Sequence, residues 1–257
     1  MSGSVHETAA TGFGAAADEY ERSRPGYPQE AVDVLIRQLR IATGRRLLEL
    51  GAGTGKLTRR VAGTGADIVA VEPVESMRRR FAEELPGVPV IAATAETLPF
   101  EDETFDAAAA AQAFHWFDGD RALAELHRVL RPEGRLGLMW NVRDESVNWV
   151  AALTELIDPY ERTAPRFKTG EWRVAFEETK LFGDLHHQGF PNEQSLDADG
   201  LVTRIASVSF IARLPEGERH GVLDRIRQLA ETHPDLRGRE RFSLPYVTDV
   251  YWCDRRD

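Results

Sequence analysis

Three glycines at alternate positions follow a short apolar run in Leu47-Leu48-Glu49-Leu50-Gly51-Ala52-Gly53-Thr54-Gly55-Lys56-Leu57-Thr58. A strand that passes through such a loop straight into a helix must turn sharply and accept positive φ, which glycine does at no steric cost. The loop also leaves bare backbone for a ligand, and in open α/β sheets ligands bind beyond the carboxyl ends of the strands. A plain tight turn would not need three alternating glycines. Glu72 ends the next apolar run, about 20 residues further on. An acid at that offset is placed to accept hydrogen bonds from both hydroxyls of an adenosine ribose and to reject a 2′-phosphate. Loop and acid together point to a ligand that contains adenosine.

The glycine spacing separates two such ligands. Dinucleotide folds carry G-x-G-x-x-G and receive a pyrophosphate at the helix N-terminus. Here the spacing is G-x-G-x-G, and Glu49 stands two residues before the first glycine. A carboxylate there repels a pyrophosphate and suits a cationic amino group. S-adenosylmethionine has adenosine, an ammonium and a sulfonium but no phosphate, so charge favours it over a nicotinamide cofactor. A nicotinamide oxidoreductase and a non-catalytic binder remain the competing readings.

His115, in Ala113-Phe114-His115-Trp116-Phe117-Asp118, is the one candidate general base. It follows a strand, at the rim where a transferred group and its acceptor should meet. The alternative is a polar pocket wall held by aromatic packing. Trp116, Trp140 and Asn141 are the other candidate pocket residues, and Trp149 and Trp172 stand in the aromatic segment that would cover them. The pair His186-His187 lacks metal-ligand spacing with any cysteine, so no metal site is expected.

Elements that could position these groups follow from periodicity. Gln29 to Ile41 reads as an amphipathic helix, with Val32, Leu35, Ile36 and Leu39 on one face. Strands are expected at Arg46–Leu50, Asp67–Glu72, Val88–Ala92, Phe105–Ala111 and Arg135–Trp140. Helices at Gly55–Ala62, Val74–Leu85 and Asp120–Leu130 separate them, the last closed by Pro132-Glu133-Gly134. The strand at 105–111 is assigned by context, because its five consecutive alanines favour helix in isolation. Such alternation implies right-handed crossovers and a doubly wound, mostly parallel sheet with helices on both faces. Residues 142–183 break the rhythm as a helical, aromatic insertion. A strand near Leu185–Phe190, helices near Leu196–Ser207 and Pro215–Thr232, and a β-rich end at Phe242–Cys253 follow. The expected organisation is therefore a leading segment 1–28, a cofactor core 29–141, a helical cover 142–183, and a part 184–257 that completes a seven-stranded sheet.

Composition narrows the partners. The 257 residues carry 42 Asp and Glu against 32 Lys and Arg, a net charge of −10. That surplus repels phosphate backbones, so nucleic acid is not expected as a partner. A chain of this length buries roughly 70–75% of its unfolded surface without staples. One cysteine excludes an intrachain disulfide and fits a reducing compartment. The first residues lack a basic stretch before an apolar run, and no apolar run is long enough to span a bilayer. A cytoplasmic protein with no membrane partner, monomeric or homodimeric, is expected.

The stretch Glu49-Leu50-Gly51-Ala52-Gly53-Thr54-Gly55 resembles the first motif of class I S-adenosylmethionine-dependent methyltransferases. Ala95-Glu96-Thr97-Leu98-Pro99-Phe100-Glu101-Asp102-Glu103-Thr104-Phe105-Asp106 is similar to the family's next landmark, and Leu130-Arg131-Pro132-Glu133-Gly134-Arg135-Leu136 to the helix end before its fifth strand. Arg24-Pro25-Gly26-Tyr27-Pro28 and Leu244-Pro245-Tyr246 also look like the type-11 methyltransferase-domain group, which includes trans-aconitate-methyltransferase-like enzymes. The resemblance implies that Glu49 and the loop Gly51, Ala52, Gly53 and Gly55 hold the methionine part of S-adenosyl-L-methionine, and Glu72 the ribose. Ala95 and Glu96 would lie at the adenine edge, with Pro73 orienting the chain beneath it and Gln112 near the methionine ammonium. Tyr20 and Arg24 would belong to a lid over the cofactor. The activity implied is methyl transfer to a small organic acceptor, with the acceptor and the methylated atom left open.

Overall fold

A computed structural model describes residues 24–161 and 167–257. Its centre is a seven-stranded sheet built from β1 (Arg46–Leu50), β2 (Asp67–Val71), β3 (Val90–Ile91), β4 (Phe105–Ala111), β5 (Leu130–Arg143), β6 (His186–Leu196) and β7 (Phe242–Asp254), in the order β3-β2-β1-β4-β5-β7-β6. β1 pairs in parallel with both β2 and β4, so the chain reverses its direction of travel across the sheet at β1 and opens a crevice there. β7 runs antiparallel between β5 and β6.

Helices cover both faces because successive side chains on a strand point to opposite sides. One face packs α1 (Gln29–Leu39) and α2 (Lys56–Val61) on Leu47, Ile68, Ala107, Ala109 and Met139. The other packs α4 (Gly119–Val129) on Leu48, Leu50, Val69, Val71, Ala108 and Ala110. The alanines of β4 are therefore a buried central strand whose short side chains let helices approach on both sides. α3 (Glu75–Glu84) lies after β2, with Met77 and Phe81 buried.

After β5 come α5 (Asn148–Ile157) and the short α6 (Val174–Glu178); α7 (Ala198–Ala206), α8 (Ser209–Ala212) and α9 (Glu216–Thr232) stand between β6 and β7. Residues Val150 and Leu153 of α5, Leu201 and Ile205 of α7 and Val222 and Ile226 of α9 form a second apolar core. The helices of the last segment thus join the 142–183 insertion in one cap over the carboxyl ends of the strands.

Several expected boundaries shift. β3 is two residues long, not five. α4 ends at Val129, because Leu130 already pairs with Phe105 before the register slips and resumes at Ala107 and Arg135. β5 runs on to Arg143, and β6 extends past Phe190 to Leu196. Pro191 stands within β6, an edge strand, where a missing N–H is tolerated. No described helix is long and apolar enough to cross a membrane.

Candidate active site

The glycine loop leaves β1 and enters α2 with all three glycines at positive φ: Gly51 at 60°, Gly53 at 57° and Gly55 at 86°. They do different work. A Cβ on Gly51 would stand 2.7 Å from Ala113 Cβ, and one on Gly55 2.6 Å from Leu85 Cδ1, so these two allow close packing. A Cβ on Gly53 would meet nothing within 4 Å. That open side faces a cavity of about 530 Å³, lined by Glu49, Gly51, Ala52, Gly53, Thr54 and Gln112 among others.

Two acids stand behind this loop. Glu72 is buried at the end of β2 and accepts from the Gly53 N–H and the Val74 N–H, each at 2.9 Å. It therefore joins loop to strand while its remaining lone pairs can serve a ligand. Burial raises its pKa above the ordinary carboxylate range, against the pull of those two N–H donors and of Arg78. Arg78 in turn donates to the carbonyls of Glu72 and Pro73, at 2.8 and 2.6 Å, and so orders the turn after β2. Glu49 is 1% exposed and accepts from the Thr58 hydroxyl. Burial pushes its carboxyl up to about 7. A buried acid held near neutrality is suited to a cationic partner, which would restore its charge.

Next to this cavity lies a cleft of about 890 Å³, its open mouth included, bordered by His115, Trp116, Trp140, Phe167, Phe210 and Tyr246 among others. Arg24, Gln112, Asn141 and Arg204 border both spaces. Gln112 sits at the junction in a left-handed conformation, φ 58°, with its N–H donated to Met139 O at 2.8 Å.

His115 has a defined partner. Trp140 Nε1 donates to His115 Nδ1 at 3.1 Å. The indole nitrogen is a donor only, so Nδ1 carries the lone pair and the neutral ring holds its proton on Nε2. In this arrangement the indole engages the Nδ1 lone pair of His115, whose ring borders the cleft. Trp116 packs against His115 with ring centroids 5.0 Å apart. Trp140 is buried in a cluster with Phe167, Trp172 and Tyr251.

Three expected residues have structural duties. Asn141 donates to Gly26 O at 3.0 Å and its Oδ1 accepts from Asn192 and Thr248, so its amide is committed to holding strands together. Glu96 accepts from the Asp118 N–H at 2.9 Å, tying the loop after β3 to the start of α4; Ala95 beside it is buried. Trp149 lies in the cap core against Phe242 rather than in the cleft. Tyr20 lies outside the described residues. Arg24 donates to Ser207 O at 3.1 Å, and Lys56 donates to Arg24 O at 3.3 Å, so the start of the described chain bridges α2 and the end of α7. Among the described residues no group of His, Cys, Asp and Glu could hold a metal ion.

Sequence reasoning missed Arg204, which is 5% exposed and borders both spaces. The available signal was an arginine inside the apolar stripe Leu201, Ile205 and Val208.

A family model described as a methyltransferase domain matches residues 48–138, from β1 to the middle of β5. An uncharacterised methyltransferase of Mycobacterium tuberculosis strain H37Rv is 42% identical over 240 residues, 92% of each chain. An uncharacterised methyltransferase-like protein of Schizosaccharomyces pombe is 36% identical over 238 residues, 92% of this chain and 93% of its own. The solved structure of a putative type II methyltransferase from Anaeromyxobacter dehalogenans superposes with a TM-score of 0.65 at 25% identity, covering 90% of this chain and 96% of that one. These matches span the core, the cap and the terminal strands, and with them the nicotinamide reading falls away. The chain belongs to the methyltransferase-domain family and has the Rossmann-like fold of its class I enzymes.

Proposed function

We propose that the protein transfers the methyl group of S-adenosylmethionine to a small organic acceptor. The observation that supports this reading is the shared wall between the two spaces, where Gln112 borders both the glycine-loop cavity and the aromatic cleft. A cofactor in the first and an acceptor in the second would meet at that wall. When bound, S-adenosylmethionine supplies a methyl carbon on a sulfonium; an acceptor lone pair forms the new bond while the carbon–sulfur pair leaves as a neutral thioether. Such a displacement depends chiefly on alignment, for which proximity and orientation can contribute roughly 7–11 kcal/mol.

The residues present fit that cofactor. Glu72 would accept from the ribose hydroxyls and Glu49 would face the ammonium. The open side of Gly53 leaves room for the methionine part, and Ala95 and Glu96 would border the adenine. His115 would donate from Nε2 to the acceptor and Trp116 and Trp140 would wall it. In this reading the acceptor is a free small molecule in the cytoplasm, with neither nucleic acid nor membrane as partner, and the protein works as a monomer or homodimer. The test is incubation with S-adenosylmethionine and a panel of small acids, alcohols and amines, followed by mass spectrometry. Expected is S-adenosylhomocysteine together with an acceptor heavier by one methylene. Cofactor binding without turnover of any acceptor would favour a non-catalytic binder.

A further inference from the structure

Arg204 projects from α7, its side chain buried between the cap and the ends of the strands. Its Nε donates to the Tyr246 hydroxyl at 3.1 Å, and Tyr246 donates on to Gln194 Oε1 at 3.4 Å. Its Nη1 is buried without a hydrogen-bond partner, and among the described residues no carboxylate pairs with it. Two other cations at the cleft have protein partners for their charged ends. Lys168 reaches Glu145 and Asp158, both at 3.3 Å, and Arg24 is tied to Ser207. A guanidinium out of water without a counter-charge costs several kcal/mol, and orphaned buried donors are rare. Arg204 borders the cleft at its junction with the cofactor cavity, and its one protein partner, Tyr246, lines the acceptor side.

Resting on the methyltransferase reading, we infer that the acceptor carries an oxyanion, a carboxylate or a phosphate, and that Arg204 receives it. The anion supplies the charge that the fold omits, and Nη1 with its neighbour in the guanidinium fork matches the paired oxygens of either group. Tyr246, itself on the cleft wall, holds the guanidinium through Nε before the acceptor arrives.

The test titrates full-length protein saturated with S-adenosylhomocysteine with succinate, inorganic phosphate and neutral succinamide, by calorimetry. At least one anion should bind and succinamide should not. Arg204→Gln should weaken the anion at least tenfold, and more than it weakens S-adenosylhomocysteine. Succinate alone assigns a carboxylate acceptor and phosphate alone a phosphate ester; binding of both assigns an oxyanion site open to either. Arg204→Met, which removes the charge but keeps a linear chain, should abolish anion binding while the melting temperature of the free protein holds or rises. A lower melting temperature with unchanged anion affinity makes Arg204 purely structural and overturns the inference. So do silence with both anions, equal affinity for succinamide, and a loss confined to S-adenosylhomocysteine, which would place the cofactor's own carboxylate on Arg204. Failure of the wild type to bind S-adenosylhomocysteine overturns the methyltransferase reading instead.

Discussion

Glu49 is placed where a charge is costly until a cation arrives. In the free protein it keeps its proton up to about pH 7, whereas in the unfolded chain it titrates as an ordinary glutamate at about 4.5. Between those values the folded state binds more protons, so stability falls as pH rises. At about 1.4 kcal/mol per unit, the loss by pH 8 reaches roughly 3 kcal/mol. Glu49→Gln, which keeps an acceptor for Thr58, should remove that loss, and urea unfolding at pH 5 and pH 8 would read it. The same proton governs ligand affinity. Below pH 7 cofactor binding should weaken by up to tenfold per unit, and above about 8 it should weaken again as the amino group loses its charge. Calorimetry of S-adenosylmethionine across that range should show a maximum between the two, and in Glu49→Gln the acid limb should vanish with a lower plateau. His115 makes a different case. Its position after the fourth strand is visible in the sequence, but its role depends on the Trp140 indole, a strand away. If Nε2 donates, His115→Ala should cost roughly 3–10-fold in kcat/KM, the worth of a neutral hydrogen bond. The pH profile should keep its shape, and His115→Gln should recover part of the loss. An inflection near neutrality that disappears in His115→Ala would instead make His115 the general base.

At the scale of elements, close approach is the organising demand. α1 reaches the sheet because β5 has Gly137 beneath it: a Cβ there would stand 2.6 Å from Leu35 Cδ1 and 2.8 Å from Leu39 Cδ1. Gly137→Val should therefore overpack this face, at a cost of about 1–3 kcal/mol. Denaturant unfolding should show the loss, with cofactor affinity nearly unchanged because the glycine loop lies on β1, separated from β5 by β4. Parallel strands buried on both faces read as continuous apolar runs, which made β1, β2 and the context for β4 legible in the sequence. The edge was less legible. In β6 the run His187-Gln188-Gly189-Phe190-Pro191-Asn192-Glu193 is polar and holds a proline, and only its ladder with β7 makes it a strand. The glycine loop and Glu72 were readable because motif and register lie within one strand–helix–strand unit. Arg204 was not, because its cavity is assembled from β4, β5, α7 and β7, far apart in the chain. The bond of the Asp118 N–H to Glu96 was not readable for the same reason, since it forms only when two loops meet.

Over the whole molecule, the site depends on how the first described residues are fastened to the last strands. Gly26 O accepts from Asn141 of β5 at 3.0 Å and from Asn192 of β6 at 2.9 Å, while Thr248 of β7 donates to Asn141 Oδ1. One asparagine thus joins the chain before α1, the end of β5 and the two terminal strands, and it borders both the glycine-loop cavity and the aromatic cleft. The net charge of −10 contributes nothing to this knot, whose members are neutral side chains and backbone, exposed in part except at Thr248. Asn141→Ala should take one hydrogen bond each from the Gly26 carbonyl and the Asn192 amide while their mutual bond stays, at about 0.5–1.5 kcal/mol. The fold should survive, since the substitution removes no side chain of the apolar cores. Hydrogen exchange should then quicken at 24–28 and at the facing amides of β6 but stay slow in β1 and β4. S-adenosylmethionine should bind several-fold more weakly, because Arg24 borders its cavity and is held in place by this fastening. If exchange at 24–28 matches that of the wild type, Arg24 is positioned by Lys56 and Ser207 alone.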